Sequence, residues 1–342
     1  MKKLLMISTD RNLFVENSDV RMRQIEYANN YDEVHIIVFA PVGKFSQKIN
    51  ISQNCIVYST NSLIRAFYPS DAKRIGKKII QKVKIDEITC QDASFAAIAG
   101  LSLGKSFSIP VELQLHGDIS SPFFRKGIIG KWRYNLICKH LPQANKIRVV
   151  SQRIKDYIQK NFPIDFNRTE IVIRPIEVKI DEVNNAPVVV NLKDKYKQFD
   201  RVVLMASRLE KEKNIKLAIE AWIEVHKVFP KAGLVIVGKG SQEPLLKQIV
   251  VESGLAKSII FEDWADKNLI YSYMKSADLF LNTSLFEGYG MTLKEASVAK
   301  CNIISTDVGI AREVGATIST FDSHDLASKI NSLFFQLNKK HD

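Results

Sequence analysis

The stretch that decides the fold is LFLNTSLFEGYGMTLKEAS, residues 279–297. Its apolar start predicts a buried strand at Leu279–Asn282, and the glycines that follow predict a turn over 287–290. A helix is expected to open near Thr292. A short buried strand, a turn and a helix in this order are typical of a parallel α/β sheet.

Two carboxylates, Glu287 and Glu295, bracket the predicted start of that helix. The free N–H groups and the dipole of a helix N-terminus favour an anion, whereas carboxylates accept hydrogen bonds from hydroxyls. The pair therefore suits a ligand that carries both phosphate and sugar hydroxyls. A structural alternative exists for Glu295, because Thr292-Leu293-Lys294-Glu295 also fits a capping box in which Glu295 accepts from the Thr292 N–H.

The same alternation of short apolar strands and helices runs through most of the chain, and it dissolves only over about 176–198. Strands are predicted near 4–7, 34–39, 85–89, 111–115, 147–150, 202–206, 234–237, 259–261, 279–282 and 302–305. Helices are predicted near 19–30, 71–84, 93–105, 130–141, 151–160, 214–228, 242–252, 267–276 and 292–299. This pattern predicts an α/β protein with two Rossmann-like, doubly wound domains, 1–178 and 200–342. A linker over 179–199 would join them, and their ligands are expected in a central cleft.

The composition is that of a soluble globular protein, with 342 residues of which 46% are hydrophobic and 25% charged. The N-terminal MKKLLMISTDR has too short an apolar run for a signal peptide, and no run approaches the ~18 apolar residues of a membrane-spanning helix. The four cysteines are scattered, with no pair at metal or redox spacing. These features predict a reduced, cytoplasmic protein.

The net charge of +12 is confined to the first half of the chain. Residues 1–180 carry 28 Lys and Arg against 16 Asp and Glu, whereas residues 181–342 carry 21 of each. Such asymmetry points to nucleic acid, an anionic membrane surface or an acidic substrate.

Two further segments of the second half carry residues suited to a phosphate ligand. In MASRLEKEKN (205–214), Arg208 and Lys213 follow a strand and could clamp a diphosphate from two sides. The alternative is a solvated charged loop. In VGKGS (237–241), Gly238 and Gly240 would let a ligand approach the backbone closely, although a tight strand-to-helix turn needs the same residues.

In order and spacing, these segments resemble the retaining GT-B glycosyltransferases of family four, the glycosyl transferases group 1. The likeness rests on RLEKEK, on VGKG, on EGYGMTLKEA and on ISTDVGIAREV (304–314), and it covers nearly all of 201–315. The resemblance implies that Arg208 and Lys213 neutralise the leaving diphosphate, that Glu295 binds ribose hydroxyls and that Glu287 contacts the transferred sugar. It also implies donor contacts from the turn and helix start, that is Gly288, Tyr289, Gly290, Met291 and Thr292.

The first half resembles the acceptor domain of the family less closely. Gln91-Asp92, LQLHGD (113–118) and VVSQRI (149–154) fall where that domain carries comparable segments. By this resemblance His116 would lie near the transferred sugar, and Gln91, Asp92 and Asp118 become candidates for acceptor-side contacts. A purely structural or surface histidine is the alternative for His116.

Two basic segments of the first half predict contact with an anionic membrane surface. Segment 70–84, with Ser70 as the expected N-cap, carries Lys77 and Lys78, although a core-facing helix with a solvated basic face explains it as well. In segment 123–141, aromatic, aliphatic and basic residues interleave without an acid. The membrane candidates there are Phe123, Phe124, Arg125, Lys126, Lys131, Trp132 and Arg133. The acceptor is therefore expected to be lipid-linked or a cell-surface glycan precursor, as in polysaccharide biosynthesis at the inner face of the cytoplasmic membrane.

The predicted reaction moves a sugar from a nucleotide-diphosphate sugar to an acceptor hydroxyl with retention of configuration. The resemblance implies no cofactor and no metal, since two cations and a helix dipole replace Mg²⁺. A GT-B-like nucleotide-sugar epimerase and a basic nucleic-acid-binding protein remain the alternatives. The sequence leaves UDP, GDP and ADP open, and Trp264 in FEDWADK (261–267) is the candidate for the base pocket.

Overall fold

The chain divides into two units, residues 1–175 and 176–342, and the computed structural model describes residues 2–339. Residue 1 and residues 340–342 of the predicted domains lie outside the described range.

The first unit contains eight strands: β1 (Lys3–Ser8), β2 (Glu33–Val38), β3 (Lys48–Ser52), β4 (Cys55–Ser59), β5 (Glu87–Cys90), β6 (Val111–Leu115), β7 (Lys146–Val149) and β8 (Glu170–Ile173). They form one sheet in the order β3-β4-β2-β1-β5-β6-β7-β8. All neighbours pair in parallel except β3 and β4, which form an antiparallel hairpin at the edge. This hairpin and β8 are absent from the sequence prediction, whereas the central strands agree with it to within two residues.

Five helices accompany this sheet: α1 (Asp19–Ala28), α2 (Tyr68–Ile80), α3 (Phe95–Phe107), α4 (Gly127–His140) and α5 (Gln152–Asn161). The prediction of Ser70 as the N-cap of α2 is wrong. The helix begins at Tyr68, with Phe67 as N-cap and Pro69 in the first turn. Proline is tolerated there because a first-turn N–H has no partner within the helix. The Ser70 hydroxyl instead donates to the Phe67 carbonyl at 2.9 Å.

Within its described residues, 176–339, the second unit contains six strands: β9 (Arg201–Ala206), β10 (Ala232–Val237), β11 (Ile259–Glu262), β12 (Leu279–Asn282), β13 (Ile303–Thr306) and β14 (Thr317–Ser319). Its helices are α6 (Ile180–Asn185), α7 (Leu192–Lys195), α8 (Ile215–Val228), α9 (Glu243–Glu252), α10 (Lys267–Ser276), α11 (Met291–Val298) and α12 (Ser323–Asn338). The parallel sheet has the order β11-β10-β9-β12-β13-β14. The strand at 279–282 and the helix at 267–276 lie where the sequence predicts them.

Both faces of this second sheet are covered by buried apolar side chains. Along β9, Val203 and Met205 pack with Trp222 of α8, whereas Val202 and Leu204 belong to the cluster on the opposite face. A parallel strand that is buried on both faces reads as a continuous apolar run, which is why RVVLMA gives such a clear strand signal. The carboxyl ends of these strands form one edge, from which the loops of interest leave.

The segment predicted as a linker, 179–199, is built into the second unit. Val183, Leu192 and Phe199 are buried in its core, and α6 and α7 lie within the segment. The Val190 N–H donates to Ser272 of α10 at 3.0 Å. Its scattered apolar residues lack strand or helix periodicity, so the sequence alone does not reveal that they pack against α10.

Candidate functional site

Loops of the second unit leave the sheet at one edge, because β10, β9, β12 and β13 are parallel neighbours. The loop after β9 contacts the turn after β10, where the Leu209 N–H donates to the Lys239 carbonyl at 2.8 Å. It also contacts the loop after β12, where the Leu285 N–H donates to the Glu212 carbonyl at 2.8 Å. The backbone therefore brings together the three segments that the sequence singles out.

Lys213 and Glu287 form an ion pair between two of these loops. Lys213 Nζ lies 2.5 Å from Glu287 Oε1, and the two side chains are only 16% and 17% exposed. Ser284 Oγ lies 2.8 Å from the same carboxylate oxygen, and the Thr283 hydroxyl donates to the Lys213 carbonyl at 3.0 Å. Charges that are largely withdrawn from water interact more strongly than surface charges. Two residues expected to act on one ligand are thus in direct contact.

Arg208 lies in the same loop but is more exposed than Lys213. Its Nη2 donates to Glu212 Oε1 at 3.0 Å. Glu210 accepts from the backbone N–H and the hydroxyl of Ser241 at 3.0 and 2.6 Å, which ties the loop to the turn after β10. These hydrogen bonds hold the pKa of Glu210 below its ordinary value. The alternative of a solvated charged loop describes Arg208 but not the half-buried Lys213.

Gly238 and Gly240 are required by the loop after β9. A Cβ on Gly238, whose φ is +143°, would lie 1.9 Å from the Ser207 carbonyl oxygen. A Cβ on Gly240 would lie 2.3 Å from the Leu209 carbonyl oxygen. The close neighbour of both glycines is therefore protein backbone, which supports the tight-turn alternative. Their role in donor binding stays a prediction.

The helix start in the central segment is formed by a glycine. Gly290 is the N-cap of α11, with φ +92°, and no side chain caps the helix. The capping-box alternative for Glu295 is wrong, because the helix starts at Met291 and Thr292 is already inside its first turn. The first-turn N–H groups therefore lack a side-chain cap, as an anion site requires.

Glu295 is buried on the second turn of α11. Its Oε1 accepts a hydrogen bond from the Tyr271 hydroxyl of α10 at 3.3 Å. Burial raises the pKa of Glu295 above its ordinary value, although Tyr271 and the charge of Lys267 act in the opposite direction. A buried carboxylate with one long hydrogen bond retains the capacity to accept from a ligand hydroxyl.

The turn before α11 rests on polar residues that the sequence interpretation missed. Asn282 Nδ2 donates to Ser305 Oγ at 3.0 Å, and Thr306 Oγ1 donates to the Ser284 carbonyl at 2.6 Å. Gly309 packs under the turn: a Cβ there would lie 2.2 Å from the Tyr289 carbonyl oxygen. Polar residues at the ends of otherwise apolar strands, NTS and STD, are the signal that could have identified this support.

The candidate base loop follows β11. Trp264 is 65% exposed. Glu262, at the end of the strand, accepts hydrogen bonds from Lys195 Nζ at 2.7 Å, from Tyr273 at 2.8 Å and from the Tyr196 hydroxyl. Burial alone would raise the pKa of Glu262, but these hydrogen bonds outweigh it and lower the pKa. The start of the loop is thus fixed to the segment that was predicted as a linker.

In the first unit, a pocket of about 410 Å³ lies at the carboxyl ends of β1, β5 and β6. Its lining includes Gln91, Asp92 and His116, which the sequence predicted together, and also Phe124 and Arg133. Gln91 Oε1 accepts from the Ser8 hydroxyl at 2.6 Å. The structure therefore places the acceptor-side candidates Gln91 and Asp92 in one pocket with His116, the residue predicted to lie near the transferred sugar.

The two acidic candidates of this half are engaged with protein groups. Asp92 accepts from the backbone N–H groups of Ser94 and Phe95 at 3.1 and 2.7 Å, and so fixes the chain at the start of α3, whose N-cap residue is Ser94. Asp118 is buried, with Oδ1 accepting from the Ser120 N–H at 2.9 Å and Oδ2 lying 3.5 Å from Arg153 Nε. These contacts give both residues a structural role, and their acceptor-side role stays a prediction.

His116 follows β6 and is solvent-accessible at the rim of the pocket. Its Nε2 lies 3.1 Å from Gln114 Oε1. The protein atoms around the imidazole, together with the positive charge of Arg148, lower the pKa of His116 below its ordinary value. The neutral imidazole therefore predominates near pH 7, where it both donates and accepts a hydrogen bond.

The predicted membrane segment around α4 divides into two groups of residues. Phe124 is half-buried in the pocket, beneath Arg133, whose guanidinium carbon lies 5.1 Å from its ring centroid. Arg125 stacks on Tyr134 at 4.8 Å. The apolar side chains that face water on α4 are instead Ile128 at 88%, Ile129 at 72% and Trp132 at 53% exposure.

Lys126 and Lys131 flank these exposed side chains and are exposed themselves, whereas Phe123 is half-buried. On α2, Lys77 and Lys78 are exposed, and Lys78 lines an open groove together with Lys48, Arg74 and Lys82. Within residues 2–339, none of the helices combines the length and apolarity needed to cross a bilayer. The same residues contain no cluster of three metal-ligating side chains.

Comparison with known proteins identifies the family. Residues 192–338 match the family described as glycosyl transferases group 1, and residues 26–179 match the family described as glycosyltransferase family 4. The chain belongs to the family four glycosyltransferases. Its two Rossmann-like units have the GT-B fold, as the sequence predicts.

This glycosyltransferase is 26% identical over 252 residues to the alpha-monoglucosyldiacylglycerol synthase of Acholeplasma laidlawii, covering 68% of this chain and 61% of that protein. It is 36% identical over 106 residues to the GtfA subunit of the UDP-N-acetylglucosamine–peptide N-acetylglucosaminyltransferase of Streptococcus gordonii, covering 31% of this chain and 20% of that protein. The matches thus span less than two thirds of these relatives. Among solved structures, HepE of Anabaena in complex with UDP and glucose superposes with a TM-score of 0.68 at 18% identity, covering 99% of this chain and 91% of that chain.

Proposed function

We propose that this glycosyltransferase moves a sugar from a nucleotide-diphosphate sugar to an acceptor hydroxyl, with retention of anomeric configuration and without a metal. The observation that carries the proposal is the half-buried Lys213–Glu287 pair beside the glycine-capped start of α11. A cation, a carboxylate and uncapped N–H groups in one loop cluster match a ligand that combines a diphosphate with a sugar. An anionic diphosphate needs cations and N–H donors, whereas sugar hydroxyls can donate to a carboxylate, and this cluster supplies both kinds of partner.

In the proposed reaction, the bond between the anomeric carbon and the diphosphate oxygen breaks while the acceptor oxygen bonds to the same face of that carbon. The acceptor hydroxyl gives its proton to an oxygen of the leaving phosphate. Lys213 and Arg208 stabilise the negative charge that develops on the diphosphate, which is the largest contribution expected from the protein. A diphosphate competes with Glu287 for Lys213, so donor binding frees the Glu287 carboxylate for sugar hydroxyls.

The nucleoside end of the donor is assigned to Glu295 and to the loop around Trp264. We propose UDP as the nucleoside diphosphate, because the HepE structures contain UDP, UDP with glucose, or UDP-glucose. Thermal shifts with UDP, GDP and ADP test this choice, since a ligand that binds the folded state stabilises it by mass action. The largest shift with GDP or ADP would contradict it.

For the acceptor we propose a lipid-linked sugar or a lipid at the inner face of the cytoplasmic membrane. The apolar triplet Ile128, Ile129 and Trp132, flanked by Lys126 and Lys131, has the composition of a helix that lies on an anionic bilayer. The relative from Acholeplasma laidlawii, by its name, makes a glucosyl diacylglycerol. Phe124 lies in the His116 pocket and is not proposed to enter the bilayer.

The donor part of the proposal is tested with purified protein, UDP-glucose, UDP-galactose and UDP-N-acetylglucosamine, and vesicles that contain diacylglycerol or a polyprenyl-diphosphate sugar. The expected product is a glycolipid whose new linkage has the same anomeric configuration as the donor, formed equally well with EDTA. Interconversion of the nucleotide sugar without transfer would favour the epimerase. Salt-sensitive binding of DNA without affinity for any nucleotide sugar would favour the nucleic-acid-binding protein.

The membrane part is tested by flotation with anionic and with neutral vesicles. We expect binding to anionic vesicles only, and a loss of about tenfold or more when Ile128, Ile129 and Trp132 are all replaced by Ser, since each buried apolar side chain contributes ~1.5–3 kcal/mol at full burial. Replacing Leu245 and Val251 of α9, which are 50% and 68% exposed, by Ser is the matched control. Equal flotation with both vesicle types, or by the triple variant, would contradict the membrane assignment.

A further inference from the structure

A buried polar line runs along β6 toward the His116 pocket. Glu112, Gln114 and His116 alternate with apolar residues and so lie on one face of the sheet. Glu112 and Gln114 are only 3% and 2% exposed, and Thr89 of the neighbouring strand β5, at 1%, pairs with Glu112 in register. Buried polar side chains are stable in a sheet interior when they hydrogen-bond to one another. Because each group has a fixed capacity to donate or accept, the donor and the acceptor of each of these hydrogen bonds can be assigned.

The direction is set at Glu112. Lys146 Nζ lies 3.6 Å from Glu112 Oε2, as in an ion pair, and a carboxylate only accepts hydrogen bonds. Thr89 Oγ1 is 3.0 Å from Glu112 Oε1, so the threonine hydroxyl donates to it. The oxygen of Thr89 is then left to accept.

The orientation of the Gln114 amide follows from these two acceptors. Its Nε2 lies 2.8 Å from Thr89 Oγ1 and 3.1 Å from Glu112 Oε1, so the NH₂ group is directed to both. A flipped amide would put its oxygen against the carboxylate. Gln114 Oε1 is therefore the atom 3.1 Å from His116 Nε2, and an oxygen there can only accept. His116 Nε2 must carry the proton.

We propose that Gln114 is a positioning residue that holds His116 as the Nε2–H tautomer, so that Nδ1 accepts a hydrogen bond from a substrate hydroxyl in the pocket. The proposal rests on the proposed function in one respect, the identity of that hydroxyl. Within the described chain, Gln114 is the hydrogen-bonding partner of the His116 ring. A histidine fixed in this way distinguishes a hydroxyl donor from an acceptor group at the same place.

Three charged groups act on the pKa of this histidine. The surrounding protein atoms lower the pKa most, and Arg148, which pairs with Gln114 in register on β7, lowers it further, whereas Asp92 and Glu112 raise it. Arg133 lines the same pocket. The net result is a lowered pKa, so the neutral tautomer is present at neutral pH.

The experiment is a long-range ¹H–¹⁵N correlation spectrum of the full-length protein with ¹⁵N-labelled histidine at pH 7.5, with His116 assigned from the His116→Gln spectrum. We expect a single Nε2–H tautomer for His116. His140 is the internal control, because its Nδ1 lies 3.1 Å from the Ala93 carbonyl and must carry the proton, which gives the opposite signature in the same spectrum. An Nδ1–H or mixed His116 in the wild-type protein overturns the proposal without any variant.

Two variants of Gln114 separate positioning from a structural role. Gln114→Met is expected to give a mixture of His116 tautomers and to lower kcat/KM about tenfold, roughly one oriented hydrogen bond. Gln114→Glu brings a second carboxyl group against Glu112, so one of the two carboxyls is expected to keep a proton, while the other oxygen of the introduced carboxyl still accepts from His116 Nε2. This variant is therefore expected to retain the single Nε2–H tautomer that Gln114→Met loses. In both, the His140 signature stays unchanged. A single wild-type-like tautomer in Gln114→Met, or a mixed tautomer in Gln114→Glu, overturns the assignment.

The spectra are independent of turnover, so the two proposals fail separately. A fixed Nε2–H tautomer in a protein that transfers no sugar would leave the positioning role intact and refute the proposed function. A mixed tautomer in an active transferase would do the reverse.

Discussion

Replacing Lys213 by Met should separate the contribution of its charge to catalysis from its contribution to folding. Methionine keeps the length of the side chain but removes the charge that faces Glu287 at 2.5 Å. In the proposed reaction, one lost charge-stabilising donor lowers kcat by about 10² or more. Arg208 acts on the same diphosphate in the proposed reaction, but it is exposed and paired with Glu212, so it is not expected to replace the charge of Lys213.

The effect on stability follows from the burial of the pair. Exposed ion pairs contribute ~0–1 kcal/mol, whereas leaving one charge of a buried pair without its partner costs ~3–5 kcal/mol. With side chains 16% and 17% exposed and Ser284 still beside the carboxylate, the loss should be about 2 kcal/mol. For a unit of this size, that lowers Tm by about 4–8 °C.

A double variant, Lys213→Met with Glu287→Gln, tests both parts of this reasoning. The neutral pair leaves no uncompensated charge, so most of the lost stability should return while kcat stays low. Lys216→Met is the matched control, because Lys216 is 61% exposed on α8 and pairs only with Glu220 at 3.4 Å. Steady-state transfer rates and thermal melts on the four proteins decide the matter. Near-normal turnover of Lys213→Met would refute the diphosphate assignment, and an unchanged Tm would refute the energetic importance of the pair.

Three further outcomes are expected. Arg208→Ala should lower kcat by about 10² or more but leave Tm within about 1 °C, because its ion pair is exposed; a transfer assay with a melt checks both. Glu295→Gln should stabilise the protein near pH 7, because burial raises the Glu295 pKa and the stability that the protonated carboxyl contributes is lost as pH rises through that pKa. In thermal melts below about pH 4, where the carboxyl is protonated in both the folded and the unfolded protein, the gain should vanish. A gain that persists there would contradict this link between burial and protonation. Gly309→Ala should destabilise the protein more than Gly315→Ala and should weaken UDP binding. Both glycines have positive φ, but of the two only Gly309 would place a Cβ against the Tyr289 carbonyl. Equal melting temperatures and equal UDP affinities of the two variants would argue against this support of the turn.

The sequence was sufficient to predict elements in which every residue favours the same secondary structure. RVVLMA on β9 and LFLN on β12 are continuous apolar runs buried on both faces, and each is bounded by polar residues. The hairpin of β3 and β4 escaped prediction because β3 is a half-exposed edge strand, and β4 alternates buried with half-buried residues and lacks a continuous apolar run. The start of α11 was predicted to within one residue, but its N-cap was misjudged, because only the positive φ of Gly290 distinguishes an N-cap glycine from a turn glycine.

The residue types of the candidate site could be predicted from the sequence, but the contacts between their side chains could not. Spacing placed Lys213 and Glu287 on neighbouring loops, yet their contact depends on how the loop after β9 crosses toward β12. For Asp92, a carboxylate at the end of a strand suggested an acceptor contact, and the same side chain proved to accept from the Phe95 N–H at the start of α3. Gln114 was passed over because a glutamine within VELQL carries no motif, and its importance depends on Thr89 and Glu112 around it.

The integration of residues 176–199 into the second unit has a consequence for the modular exchange of parts between glycosyltransferases. A chimera joined at 200 would discard Phe199 from the core and also Lys195 and Tyr196, which hold Glu262 at the start of the loop that carries Trp264. A graft joined after Pro175 would transfer these supports together with the sheet they serve. The unit proposed to bind the donor therefore begins at Ile176, and a chimera that tests its donor specificity should be joined there.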